Sequence, residues 1–244
     1  MKRSLVVVAL SVAAFIASSL ESRSQALIML LFGDKLASER FIGGINAGIS
    51  LTDLTSYDNS RVRFDWMFGA FMEYRISDQW YFFPEVTFKN PAGATNVSGL
   101  WTDVPRLDTI LSEGKQWSAL SYVSIPLSFK VRFGTSGFFA GPQIGYLVAA
   151  TDNLRGVGED GGTFEFEKLS FYRANRWDLG VVVGYEFLFN RDLGMESLRL
   201  NVRYYQGFLD VYKDDDKTTL NRGFYLVLGI PIGGPSTESS SAED

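Results

Sequence analysis

The chain has 244 residues, 15% of them aromatic and 46% apolar, with 24 glycines, 7 prolines and a formal net charge of −5. The acidic balance argues against a nucleic-acid partner, which would be met by a basic face. Cysteine and histidine are both absent, which excludes a disulfide framework, thiolate chemistry and any His-dependent dyad or triad.

Lys2 and Arg3 precede an apolar run from Leu5 to Ala17, and Ser24-Gln25-Ala26 has the small-x-small form of a cleavage site. Residues 1–26 therefore read as a secretory signal peptide. Residues 27–40 (LIMLLFGDKLASER from Leu27) lack alternation and are expected to form a periplasmic segment, as a short helix or an extended leader. No later stretch reaches the roughly 18–20 uncharged apolar residues of a membrane helix.

From residue 41 the dominant period is two. FIGGINAGISL sets Ile45, Ala47, Ile49 and Leu51 against Asn46, Gly48 and Ser50. DWMFGAFMEYRI alternates Trp66, Phe68, Met72 and Tyr74 with Asp65, Glu73 and Arg75. WYFFPEVTFK puts Trp80, Phe82 and Phe88 opposite Glu85 and Lys89, and LSYVSIPLSFKVRF puts Ile125, Phe129 and Phe133 opposite Lys130 and Arg132. FFAGPQIGYLVAA, WDLGVVVGYEF, LRLNVRYY and GFYLVLGIPI continue the pattern, with Asp178, Glu186, Arg199 and Arg203 on the less apolar parity. Successive strand side chains face opposite ways, so each segment has one face free of charge. Pro84, Pro126, Pro142 and Pro231 fall inside these strands, where bulges or distorted hydrogen bonding are expected.

Short links (77–79, 134–137, 190–197) alternate with long ones (52–62, 90–116, 151–176, 210–222). Eight such segments predict an all-β fold: an eight-stranded antiparallel up-and-down transmembrane β-barrel over residues 41–232, followed by a disordered polar tail at 233–244. The inside-out alternative is a soluble, lipocalin-like barrel around an apolar ligand. Strand length, glycines crowding the charged parity, and aromatics near strand ends favour the membrane form. The expected girdle is Trp66, Tyr74, Trp80, Trp117, Phe133, Phe138, Trp177 and Tyr185. The expected lumen is an ion-pair network of Asp65, Glu73, Arg75, Glu85, Lys89, Lys130, Arg132, Asp178, Glu186, Arg199 and Arg203, filled rather than open.

The phrases LSYVSIPLSFKVRF, GFFAGPQIGYLVAA, DLGVVVGYEF, LRLNVRYYQGF, WYFFPEVTFKN and GINAGISLTDL resemble the PorT-like small outer-membrane β-barrels of Bacteroidetes. The resemblance implies fold and an outer-membrane location in a Gram-negative bacterium, and an accessory role in secretion; it carries no catalytic signature. The last strand departs from the barrels that end on an aromatic residue, closing at Ile230-Pro231-Ile232.

Gly156, Gly158 and Gly161 spell a dinucleotide string, but lack the strand-to-helix context that would make it one. Asp214 to Asp216 read as a solvated loop tip. No cofactor, metal or catalytic site is expected. The reading is a non-enzymatic barrel with a structural or docking role, its candidate loop contacts being Trp101, Phe164, Phe166 and Tyr172. Expected partners are outer-membrane lipid and lipopolysaccharide, the barrel assembly machinery, and a protein or glycan at the extracellular loops. A narrow channel for small solutes is the competing function.

Overall fold

The computed structural model describes residues 40–57, 59–97, 114–157, 162–190, 192–193, 197–213 and 217–232. The signal peptide, segment 27–39, Trp101, Asp214 to Asp216 and the 233–244 tail lie outside the described residues.

Nine strands appear among the described residues: β1 (Phe41–Leu54), β2 (Arg63–Arg75), β3 (Trp80–Thr95), β4 (Lys115–Phe133), β5 (Ser136–Val157), β6 (Thr163–Leu169), β7 (Trp177–Leu188), β8 (Arg199–Gly207) and β9 (Asn221–Ile232). All pairings are antiparallel, and β4–β5 and β1–β9 pairing closes eight of them into a ring. The ninth, β6, was expected as loop; it pairs with the far end of β5 and stands outside the ring. Short turns join β2 to β3 and β4 to β5 at the end where Gly43 meets Ile232, which is the periplasmic end of a barrel of this kind.

The apolar parity faces out. Phe64, Trp66, Tyr74, Trp80, Phe133, Phe138 and Trp177 are all exposed, as are Ile45, Ile49, Ile125, Leu127, Ile144, Leu179, Val183, Val202, Leu226 and Leu228. A soluble carrier with a greasy interior requires the opposite arrangement. Edge-to-face pairs Phe138–Tyr185 and Tyr146–Trp177 mark the two rims of this belt, at centroid distances of 5.2 and 5.0 Å.

A bilayer crossing takes about 9–11 tilted residues. β4 has 19 residues and β5 has 22, so both run well past the lipid. Segments 90–95 and 151–157, expected as loop, are strand for that reason.

The four prolines expected in strands leave the register intact, while a fifth, Pro91, lies in β3 just past a bulge and pairs with Ser121. Pro84 pairs with Leu127, Pro126 with Gln143, Pro142 with Val181 and Pro231 with Gly44, although ladder pairs drop out between Pro84 and Thr87 and between Pro126 and Phe129. The hydrogen bonding is thus interrupted there, and the expected bulges are elsewhere. One follows Thr87 in β3, where Phe68 faces Lys89 and Gly69 faces Thr87; the other is at Val148 in β5, where Ser121 faces Ala149 and Tyr122 faces Leu147. An extra residue reverses the facing of everything beyond it. Below the bulges the buried residues of β3 and β5 include Glu85, Thr87, Phe139 and Leu147; above them they include Ala92, Ala94, Ala150 and Leu154, on the other parity.

Candidate functional site

The interior is built in layers. Nearest the periplasm, β2 and β7 bring in Glu73 and Glu186, while β4 and β8 bring in Lys130, Arg132 and Arg199. Lys130 Nζ donates to Glu73 Oε2 at 2.7 Å and Glu186 Oε2 at 2.5 Å. Arg132 Nη2 donates to Glu73 Oε1 at 2.8 Å and Glu186 Oε1 at 2.7 Å, and Arg199 Nη1 to Glu73 Oε2 at 2.7 Å. Lys130, Glu73, Glu186 and Arg199 are each 0% exposed. Aromatic faces cover the cations: Lys130 lies 3.5 Å from the Phe83 centroid, Arg132 4.3 Å from Tyr81 and Arg199 4.7 Å from Phe71. Glycine makes the space. A Cβ on Gly184 would lie 2.2 Å from the Phe139 ring, and one on Gly44 2.3 Å from Phe71.

Charges at this depth are stable only when paired and hydrogen-bonded, because their desolvation is not otherwise offset. Two carboxylates shared among three cations meet that condition.

Above this layer Arg203 clasps Glu85 with both ends of its guanidinium, Nη1 to Oε2 at 2.6 Å and Nη2 to Oε1 at 3.1 Å, while the Asn46 amide also donates to Glu85. The gap between Thr87, Gln143, Arg203, Tyr205 and Tyr225 has room for about one water. Asp178, expected in the ion network, makes no ion pair among the described residues; its Oδ2 accepts from Asn221 Nδ2 at 3.0 Å. Asp65 and Lys89 pair at 2.9 Å with Arg63 alongside, half-buried at the extracellular rim instead of within the closed lumen. Lys89 also lies 3.7 Å from the centroid of the outward-facing Trp66. Arg75 sits half-buried at the periplasmic mouth and joins no ion pair among the described residues.

From Leu147 upward, starting just below the β5 bulge, the interior changes character. Leu54, Ala92, Ala94, Leu120, Leu147, Leu154, Val211 and Tyr212 form a buried apolar cluster that closes the extracellular mouth. Isolated bridges Arg61–Thr95 and Ala174–Tyr212 tie the flanking loops to it. Gly93 permits the fit of β3 on β4: its φ is +101°, and a Cβ there would come 2.1 Å from the Ser118 carbonyl oxygen. Tyr212 donates to Ser118 Oγ at 2.8 Å, and Arg173 Nη1 to Asp152 Oδ2 at 3.3 Å. Outside the membrane, burial pushes the Asp152 carboxyl above its usual range, with Ser118 and the Arg173 guanidinium opposing the rise. Burial also pushes the Tyr212 phenol up, reinforced by the neighbouring Asp152.

Two further expectations change here. Trp117 pairs with Thr95 and Asn153, six residues beyond Val123, so it stands roughly 20 Å along the strand from the Tyr146–Trp177 rim instead of in the girdle. Phe166 packs against the apolar cap, leaving Phe164 and Tyr172 exposed. The cap itself was missed. The signal for it was the unbroken run Tyr146 to Ala150, which no single strand parity can accommodate.

The profile of the family described as Outer membrane protein beta-barrel domain matches residues 33–213. The chain belongs to that family. Membership sets the barrel in the outer membrane, with its apolar belt against lipid. Similar solved structures include Ail, the attachment invasion locus protein of Yersinia pestis, in complex with the heparin analogue sucrose octasulfate. It is 11% identical over 79% of this chain and 99% of that one, with a TM-score of 0.40. Neisserial surface protein A is 10% identical over 78% and 96%, with a TM-score of 0.37. OprG of Pseudomonas aeruginosa is 14% identical over 78% and 91%, with a TM-score of 0.31. A search of curated proteins gave no match.

Proposed function

We propose that this outer-membrane barrel is a non-enzymatic, non-conducting anchor that holds a folded extracellular cap in place for docking. The observation that supports this is the double filling of its interior, with paired charges below and hydrocarbon above. A solute path would have to breach both. Exported by its signal peptide and inserted by the barrel assembly machinery, the chain carries its recognition surface on the cap, where Phe164 and Tyr172 offer exposed aromatic area to a protein or glycan. The PorT-like resemblance supports an accessory role in secretion or surface assembly.

Planar-bilayer recording tests the reading. The expected result is silence from the wild-type protein; unit conductance steps that change with Arg132→Gln or Glu85→Gln would establish a channel in its place.

A further inference from the structure

One wall of the cap is a four-stranded sheet of β3, β4, β5 and β6, with one face on the apolar cluster and the other turned away from it. Its pairings place Arg61, Thr95, Trp117, Asn153 and Glu167 in one cross-strand row. The row above it holds Lys115 directly opposite Arg155. Two cations facing each other across a ladder repel, and such pairs are destabilising unless something anionic lies between or upon them. Glu165 engages Arg155 at 3.1 Å, while Arg61 and Lys115 form no ion pair among the described residues. Arg155 also stands 6.0 Å from the Trp117 ring centroid. In the row below, Gly93, Ala119 and Thr151 are small, and the indole lies half-buried on the sheet between them and Arg155.

Height decides the occupant. Six residues of tilted strand raise Trp117 roughly 15 Å above the level of Val123, beyond the 5–8 Å of headgroup region that flanks the hydrocarbon on each side. An interfacial anchoring role is therefore unavailable to this tryptophan. In an outer membrane, the layer at that height around a barrel is the sugar of the neighbouring lipopolysaccharide. A pyranose ring presents an apolar C–H face suited to an indole, and its phosphate or carboxylate substituents match Arg61, Lys115 and Arg155.

We propose that this wall binds an acidic oligosaccharide of the outer leaflet in cis, with the Trp117 indole stacked on a sugar ring and the three cations holding its anionic groups. The proposal deepens the docking role and rests on it.

The full chain, folded in detergent, is titrated with three probes: rough-type lipopolysaccharide, its delipidated core oligosaccharide, and lipid A. Lipopolysaccharide and the free oligosaccharide should bind, and lipid A should bind at least tenfold more weakly. Trp117→Ala should weaken oligosaccharide binding tenfold or more, and the K115E/R155E pair should abolish it, both variants keeping the heat-dependent gel shift of the intact barrel. Trp117→Phe, which keeps an aromatic face, should retain most of the affinity and serves if the alanine variant fails to fold. Lipid A binding as tightly as lipopolysaccharide, or a core oligosaccharide indifferent to Trp117, would overturn the proposal. Conductance of the same sample separates the two failures: a silent barrel that ignores the oligosaccharide refutes this inference alone, whereas a conducting one refutes the anchor reading.

Discussion

The two ends of the same barrel are packed by opposite rules. Within the bilayer the solvent is hydrocarbon, so apolar side chains face out and Glu73, Lys130, Arg132, Glu186 and Arg199 must find each other inside. Above it the solvent is water, so Leu54, Leu120, Leu147 and Leu154 turn in while Lys115, Arg155 and Glu165 turn out. The bulges in β3 and β5 lie between the regimes and reverse the facing of their strands there. A single continuous sheet thus serves two solvents: β3 and β5 change parity at their bulges, whereas β4 makes the exchange on one parity, from Lys130 and Arg132 to Leu120.

Breaking the lower half should have the largest effect. The five-residue cluster has one cation more than it has carboxylates, so removing a carboxylate does more harm than removing a cation. Glu73→Gln leaves three cations around Glu186 and is expected to lose about 3–5 kcal/mol, read from urea unfolding in lipid vesicles. Lys130→Met leaves two cations and two carboxylates and should lose clearly less; an equal or greater loss would contradict the charge count. In the upper half Leu154→Ala should cost about 2–5 kcal/mol, confined to the cap. Hydrogen exchange should quicken across 147–157 while the gel shift of the barrel is retained. Gly93→Ala forces an alanine into positive φ against a backbone oxygen and should cost about 1–3 kcal/mol, seen as faster proteolysis of the cap.

The pH dependence separates the halves more gently. Asp152 holds its proton to higher pH in the folded cap than in the unfolded chain, so the folded state binds more protons between the two pKa values. Cap stability is therefore greatest below the ordinary carboxylate range and falls as pH rises through the raised value. Asp152→Asn should flatten that slope, measured by hydrogen exchange between pH 4 and pH 8. The smallest effect is expected from Glu165→Gln, since an exposed pair with Arg155 contributes about 0–1 kcal/mol.

Alternation made the membrane half legible. Where neighbouring strands stay in register, parity alone assigns facing, as it does for Glu73, Lys130, Arg132, Glu186, Arg199 and Arg203. What parity cannot express is a change of parity. The bulges after Thr87 and at Val148 break the alternation, and Asn90-Pro91 and Gly93 add turn signals, so Ala92, Ala94 and Leu154 read as loop from sequence. Trp117 reads as girdle for a different reason: β4 carries no bulge, and strand length beyond the bilayer leaves no mark on periodicity. Asp178 was grouped with the other lumen charges since residue type shows a carboxylate and not its neighbours; only the fold reveals an amide, Asn221, at its oxygen.

The ring is sealed by β1 against β9, twelve residues to twelve, from Gly43 with Ile232 to Leu54 with Asn221. The first strand to leave the ribosome therefore waits for the last. Until β9 arrives, the growing sheet has two raw margins, each able to zip onto any extended chain nearby. Closure of this cylinder is consequently a post-synthetic act.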